Sequence, residues 1–560
     1  MIDNPDISQK EIETVRSLMA EGVAFHQAGK VASAKKRYRD VLKIDANEAD
    51  ALHFMGILCH QEGRNKEAIT YLQRAVKARD GFVAALQNLS KILLVEEQYK
   101  EALKIAALTL EIDPDAHQAL RTMAHAYQEL HQFENAYQTY KKIDALFPNE
   151  VGTIRNLALS LSALRRREEA VATYRRALAV EPENIISRVG LASALNASGL
   201  FDEALAELES VLARKPQYVP ALVLKGSALE GMDKFDEATR TFRDAVAIDP
   251  QHPEAHFNLG LALLTAGDLR AGWDEYAWRL KTQAFIKQKP PTTAPFWQGE
   301  DLSGKSILLF PEQGMGDSIQ FVRYVRGLSG QGAHVHVCCH KPLLKLLRSI
   351  EGAAGVYLLG EDLPEVDYQV SMMELPRFLK TDRDSIPLAE GYLKAPNVPF
   401  ERPDELSVGL VWHGNPSHER DMLRSMSLRD LLPVFDIQDV RYFSLQVGTG
   451  EAQIEECGLQ DRIENLSPLL EDFSVTAGII AKLDLVITVD TSVAHVAGAI
   501  GKPVWLMLPT AADWRWGRVG ETTPWYTSMR LFRQGVRGDW PGVTRRISVD
   551  LRNLVKQYKH

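Results

Sequence analysis

Alanine recurs in this chain at Ala34, Ala68, Ala102, Ala136, Ala170, Ala204 and Ala238, each 34 residues after the last. It keeps fixed company. Twelve residues before it stands a small residue: Gly22, Gly56, Ser90, Ala124, Ala158, Ala192 or Gly226. Four residues after it, in most units, stands a large apolar or aromatic one: Tyr38, Leu72, Tyr140, Tyr174, Leu208 or Phe242. Twelve after it proline recurs, as Pro114, Pro148, Pro182, Pro216 and Pro250, and one further unit keeps the frame with Gly260, Gly272 and Tyr276. A module this short cannot bury its own apolar face and must stack on its neighbours. Proline cannot continue a helix, so it ends each unit.

These offsets resemble the tetratricopeptide repeat. The resemblance implies two helices per unit and an all-α solenoid of about eight repeats over residues 1–285, whose concave face binds peptide segments or partner proteins. Asn88, Asn156 and Asn258 each fall two residues before the small position, on the first helix of their unit. They read either as a partial asparagine ladder gripping a peptide backbone in the groove or as ordinary occupants of that position. The other units carry Ala20, Phe54, Thr122, Gly190 and Leu224 there.

A chain of 560 residues exceeds a single core, and the repeats leave roughly half of it for something else. The net charge of −9, with both signs mixed, argues against a nucleic-acid partner. No apolar run reaches the roughly 18 residues a membrane span needs. The opening stretch, MIDNPDISQKEIE, lacks the basic-then-apolar pattern of a signal peptide. Cys59, Cys338, Cys339 and Cys457 show neither metal-ligand spacing nor a disulfide framework, so a cytoplasmic protein with reduced thiols and no metal is expected.

The helical register ends near Leu280. The stretch from Lys287 to Pro295, rich in proline and threonine, reads as a linker within 286–300. Beyond it short apolar runs alternate with helical stretches. Strands are expected at Ser306–Phe310, His334–Cys338, Val356–Leu359, Val408–Trp412, Tyr442–Gln446, Leu485–Val489, Val504–Leu508 and Met529–Phe532. Strands alternating with helices imply parallel sheets covered on both faces. A second linker-like stretch, Pro396–Pro403, divides them into two doubly wound, Rossmann-like α/β lobes at 301–395 and 404–560. In such lobes ligands sit at the carboxyl ends of strands beside helix N-termini, so a cleft between the two is the expected site.

Four motifs fall at strand ends. Phe310–Gln320 follows the first strand and opens a helix. There Gly314 and Gly316 are expected to let the backbone turn and approach a ligand, with Asp317 at the helix start either facing the cleft or capping. The stretch matches neither a Walker loop nor GxGxxG. Asp490-Thr-Ser-Val-Ala-His495 follows the strand Leu485–Val489, where free N–H groups and the helix dipole favour a phosphate; Asp490 or Thr491 as a cap and His495 as a core histidine is the plainer alternative. Asn415 and Arg424 lie after the first strand of the second lobe, and Arg424 suits a diphosphate. Trp514 and Trp516, after Val504–Leu508, are candidates for stacking on a base or sugar, or for packing between the lobes.

GMGD after the first strand, with DTSVAH and then GKPVWLMLP, resembles the lipopolysaccharide heptosyltransferases of glycosyltransferase family 9 over roughly residues 300–550. That resemblance implies a two-lobed GT-B fold and a metal-independent, inverting transfer from a nucleotide-activated sugar whose nucleotide is open. It implies Asp317 as general base on the acceptor hydroxyl. It implies Asp490, Thr491 and His495 as the donor-site motif, with Arg424 near the place of the family's phosphate-binding lysine; Ser492, Asn415 and Gln446 are further donor-binding candidates beside them. Two departures stand out: the first lobe is short, and heptosyltransferases carry no repeat array. A repeat array fused to a GT-B module is similar in layout to the O-GlcNAc transferases and to bacterial flagellin glycosyltransferases. That layout implies a protein acceptor, modified on serine or threonine and selected by the repeats. A glycan-directed enzyme whose repeats dock an assembly partner, and a scaffold with an inactive second half, remain the alternatives.

Overall fold

The computed structural model describes residues 8–286, 290–388, 391–416 and 421–558. The opening residues read above for a signal peptide and the first three of the expected linker lie partly or wholly outside them. The chain falls into two compact units, Met1–Pro216 and Gln217–His560.

The first unit is a succession of antiparallel helix pairs, from Gln9–Gln27 with Val31–Ile44 to Ile185–Ala197 with Phe201–Arg214. The repeating alanines on its second helices are fully buried. The structure supplies the reason for the small position. A Cβ on Gly22 would stand 2.6 Å from the Tyr38 ring, and one on Gly56 would stand 2.6 Å from Leu72 Cγ, so in these units the large residue lies on the small one. The turn between paired helices takes a left-handed residue at the same period: Gly29, Gly63, Glu97, His131, Arg165 and Gly199 all have positive φ. This register is conformational and was invisible as a residue pattern, because only some of these positions are glycine.

The second unit opens with four more helices of the same kind: Val219–Gly231, Phe235–Ile248, Pro253–Ala266 and Leu269–Tyr276. Asp233 and Gly267 are their left-handed turns, and a Cβ on Gly226 would stand 2.3 Å from Phe242. Two parallel sheets follow. The first has the order β3-β2-β1-β4, with β1 Ser306–Phe310, β2 His334–Cys339, β3 Ala353–Leu358 and β4 Tyr368–Ser371. The second has the order β10-β9-β8-β5-β6-β7, with β5 Leu406–Val411, β6 Val440–Ser444, β7 Ile463–Asn465, β8 Leu485–Val489, β9 Val504–Leu508 and β10 Met529–Arg533.

All eight expected runs carry a strand, with β3 shifted toward the N-terminus. β4 and β7 were not expected, being four and three residues long and too short for a periodic signal. The expected first linker is in part a sheet edge. Gln369 of β4 donates its amide to Thr292 O at 3.0 Å, and its backbone N–H donates to Pro295 O at 2.9 Å. The second expected linker is held as well: Lys482 Nζ donates to Val398 O and Phe400 O, each at 2.7 Å. One buried apolar cluster joins Leu264, Trp273 and Tyr276 of the last helix pair to Ile307 and Phe321 of the first sheet region and Trp514 and Trp525 of the second. Arg323, fully buried, ties the two sheet regions, donating to Trp525 O at 2.8 Å and to the Tyr392 hydroxyl at 3.1 Å.

Candidate functional site

The carboxyl ends of β1, β5, β6, β8 and β9 open on one cavity of about 960 Å³. Gly314, Gly316 and Asp317 line it from the first sheet region; Asn415, Arg424, Gln446, Asp490, Thr491, Ser492 and His495 line it from the second. Residues 180 positions apart in sequence thus meet where parallel-sheet topology puts ligands.

Asp317 lies in the first turn of the helix Met315–Phe321. Its Oδ2 accepts from the Gly314 N–H at 2.8 Å, and its Oδ1 accepts from Arg515. Burial raises its pKa above the usual carboxylate value; Arg515 works against that shift, while Asp513 and Glu312 add to it. It therefore both caps and faces the cavity. Neither Gly314 nor Gly316 has positive φ, so the turn does not demand them for conformational reasons. Gly316 is fixed by packing instead: a Cβ there would stand 2.8 Å from His495 Cδ2. Two helices, one from each sheet region, are in close contact there.

His495 is buried, with Nδ1 2.8 Å from the Tyr526 hydroxyl. Burial first, then the nearby Arg515, pushes its pKa down to about 3, so it is neutral near pH 7. Its helix, Ser492–Ala499, begins at Thr491, which makes no side-chain cap. The Thr491 hydroxyl lies 3.2 Å from that of Thr488. Asp490, just before it, is pushed up to about 6 by burial and by Asp513, against Arg424.

Arg424 lines the cavity from the loop after β5. Its Nε donates to Asp421 Oδ1 at 3.4 Å, and Gly414 makes room for it, since a Cβ there would stand 2.9 Å from that nitrogen. Gln446 is buried and spent on the backbone: Oε1 accepts from the His413 N–H at 3.0 Å, and Nε2 donates to Val447 O at 3.2 Å. It holds the loop after β5.

Trp514 and Trp516 are not among the residues lining the cavity. Trp514 meets Trp273 edge to face at 5.1 Å, and Trp516 packs beside His495 with centroids 5.5 Å apart. The residue between them, Arg515, faces the cavity instead. Its guanidinium also donates to Asp513 Oδ1 at 2.8 Å and to Gln320 Oε1. Sequence reading missed Arg515 because the direction of three side chains in a single tight turn depends on what that turn docks against.

The three asparagines differ in their partners. Asn88 donates to His53 Nε2 at 2.9 Å, Asn156 to the Tyr140 hydroxyl at 3.2 Å, and Asn258 to Glu254 O of its own helix at 2.7 Å. Asn156 lines a cavity of about 690 Å³ with Arg121, His125, Gln128 and Arg155 in the first unit. The four cysteines are unpaired, and among the described residues no helix is long and apolar enough to cross a membrane.

Residues 25–92 and 161–224 match one tetratricopeptide repeat family and residues 223–272 match another. The chain therefore carries a tetratricopeptide-repeat region, followed by a region of two parallel sheets. Protein FlbA of Caulobacter vibrioides is 24% identical over 327 residues, 52% of this chain and 54% of FlbA. The chain spans about half the length of this curated relative. Among solved structures, a tetratricopeptide repeat protein from Parabacteroides merdae is 18% identical and covers 45% of this chain and 99% of its own, with a TM-score of 0.36. YrrB, a TPR protein with an unusual peptide-binding site, is 20% identical and covers 33% of this chain and 95% of its own, with a TM-score of 0.29.

Proposed function

We propose that the second half is a GT-B glycosyltransferase that moves a sugar from a nucleotide-sugar to a hydroxyl, and that the repeats select the acceptor. The observation that carries this is the single cavity of about 960 Å³ lined by Asp317 on one side and by Arg424 and the Asp490–His495 turn on the other. The diphosphate of the donor takes the uncapped N–H groups of the helix Ser492–Ala499 and the Arg424 fork. The acceptor oxygen attacks the anomeric carbon, the bond from that carbon to the diphosphate oxygen breaks, and the hydroxyl proton passes to Asp317. Attack opposite the leaving group inverts the anomeric centre. The helix dipole and Arg424 stabilise the charge on the departing nucleotide diphosphate. Burial raises the basicity of Asp317, while Arg515 fixes one of its oxygens and leaves lone pairs for the acceptor.

The repeats support a protein acceptor, modified on serine or threonine, with flagellin or another surface protein as the candidate class and the cytoplasm as the place of modification. The domain scheme in this reading is a repeat arm over 1–285, an acceptor lobe over 301–395 and a donor lobe over 404–560. The test is incubation of the full chain with ADP-, GDP-, UDP- and CMP-linked sugars and candidate acceptors, with release of free nucleotide as the readout. One donor class is expected to turn over, and Asp317→Ala should lower kcat by about 10²–10⁴-fold while the nucleotide still binds. A chain that neither binds nor turns over any donor is a scaffold, and the reading fails.

A further inference from the structure

The loop that carries Asp317 is held by more than its own sheet. Glu312 and Gln313, just ahead of Gly314, both reach the end of the last helical repeat. Arg279 is fully buried. Its Nε and Nη2 donate to Glu312 Oε1 and Oε2 at 2.6 and 2.7 Å, and its Nη1 donates to Glu374 Oε1 at 2.6 Å. Glu312 Oε2 also accepts from Ser371 Oγ, at the end of β4, at 2.7 Å. Gln313 Nε2 donates to the Tyr276 hydroxyl at 2.7 Å, and the Arg279 guanidinium lies 4.5 Å over the Tyr276 ring. One turn earlier, Trp273 meets Trp514, the neighbour of the Asp317 partner Arg515.

Burying an arginine among carboxylates costs desolvation that apolar packing would avoid, so such a cluster is weak evidence for stability as such. What a bidentate pair supplies is direction: two parallel bonds fix the plane of the Glu312 carboxylate and with it the path of the loop. That loop runs from the end of β1 to the helix bearing Asp317, and two of its side chains are set by the repeat.

We propose that Tyr276 and Arg279 are positioning residues of the transfer site. The last repeat holds the Glu312–Gln313 segment, and through it the Asp317 carboxylate, in line with the donor side of the cavity. This rests on the sugar-transfer reading of that cavity. The repeat region is then part of the reaction site at its last unit.

Tyr276→Phe in the full chain removes one hydroxyl and keeps the ring beneath Arg279. The backbone amides of 312–317 are expected to exchange hydrogen several-fold faster, with a melting temperature within about 2 °C of the wild type. With a donor that the wild type turns over, kcat should fall roughly tenfold at unchanged donor KM. Arg279→Met strands two buried carboxylates and can fail to fold, so Arg279→Lys, which keeps the charge and loses the fork, is the second variant and should show the same pattern. Unchanged exchange over 312–317 in folded Tyr276→Phe and Arg279→Lys overturns the proposal whether or not the wild type transfers sugar. Faster exchange at unchanged kcat overturns it too, because Asp317 is then indifferent to the clamp. A wild type that turns over no donor counts against the transfer reading, while hydrogen exchange still tests the clamp.

Discussion

Gly316→Ala tests whether the two sheet regions meet through helix contact at the site. The added Cβ would stand 2.8 Å from His495 Cδ2 and 3.3 Å from Nε2, against about 3.5–4.0 Å for relaxed carbon contacts. The imidazole has little room to retreat. It is 5% exposed, its Nδ1 is 2.8 Å from the Tyr526 hydroxyl, and its ring is 5.5 Å from that of Trp516. Overfilling a packed contact by one methyl costs about 1–3 kcal/mol, and the better helix propensity of alanine returns up to about 1 kcal/mol. The net destabilisation is up to about 3 kcal/mol and centres near about 1.5 kcal/mol, or a fall of roughly 3–6 °C in melting temperature for a unit of this size. All nine tryptophans lie between Trp273 and Trp540, so tryptophan fluorescence reports the melting of the second unit without interference from the first. His495→Ala in the same background frees the space, and the double-mutant cycle should show coupling of about 0.5–3 kcal/mol in the rescuing direction. A Gly316→Ala protein that melts at or above the wild-type temperature, or a cycle without coupling, would refute the contact.

Two further perturbations read other parts of the molecule. Asp490 is pushed up from 3.8 to about 6, so the fold holds its proton: the stability it contributes is full below pH 4 and is lost as pH rises through 6, on the order of 3 kcal/mol in total. Asp490→Asn should therefore gain melting temperature relative to wild type between pH 4 and pH 6.5 and run parallel above pH 7; parallel curves throughout would sink this assignment. In the first unit Glu97 is exposed with φ at 56°, where glycine is unstrained, so Glu97→Gly should stabilise that unit by up to about 1 kcal/mol by calorimetry. A lower melting temperature would count against the left-handed turn.

The repeat architecture was legible because it is local and periodic. Seven second helices repeat the same alanine at a fixed period, and eight strands announced themselves as apolar runs between turns. The strand-end motifs were legible for a related reason. Parallel strands of one sheet end on the same edge, so the turns after β1 and after β8 could each be expected at a carboxyl edge; that these edges of two separate sheets open on one cavity was decided by packing.

What only the tertiary structure decided is which side chains answer one another over long separations. Arg515 reaches Asp317 across 198 positions, and Arg279 reaches Glu374 across 95. No periodicity records such pairs, because each partner is ordinary in its own segment and becomes informative only when burial removes water as its alternative partner. The same holds within Trp514-Arg-Trp516. The sequence presented two aromatics and a cation in one turn, and docking against Trp273 and His495 turned the aromatics inward and left the arginine in the cavity. Gly316 looked like a residue needed by its own backbone and is needed by a histidine 179 positions away. Local sequence determines which elements form, because hydrogen bonding and apolar period act within a few residues; the chemistry of the cleft is set by contacts between elements, which only packing can select.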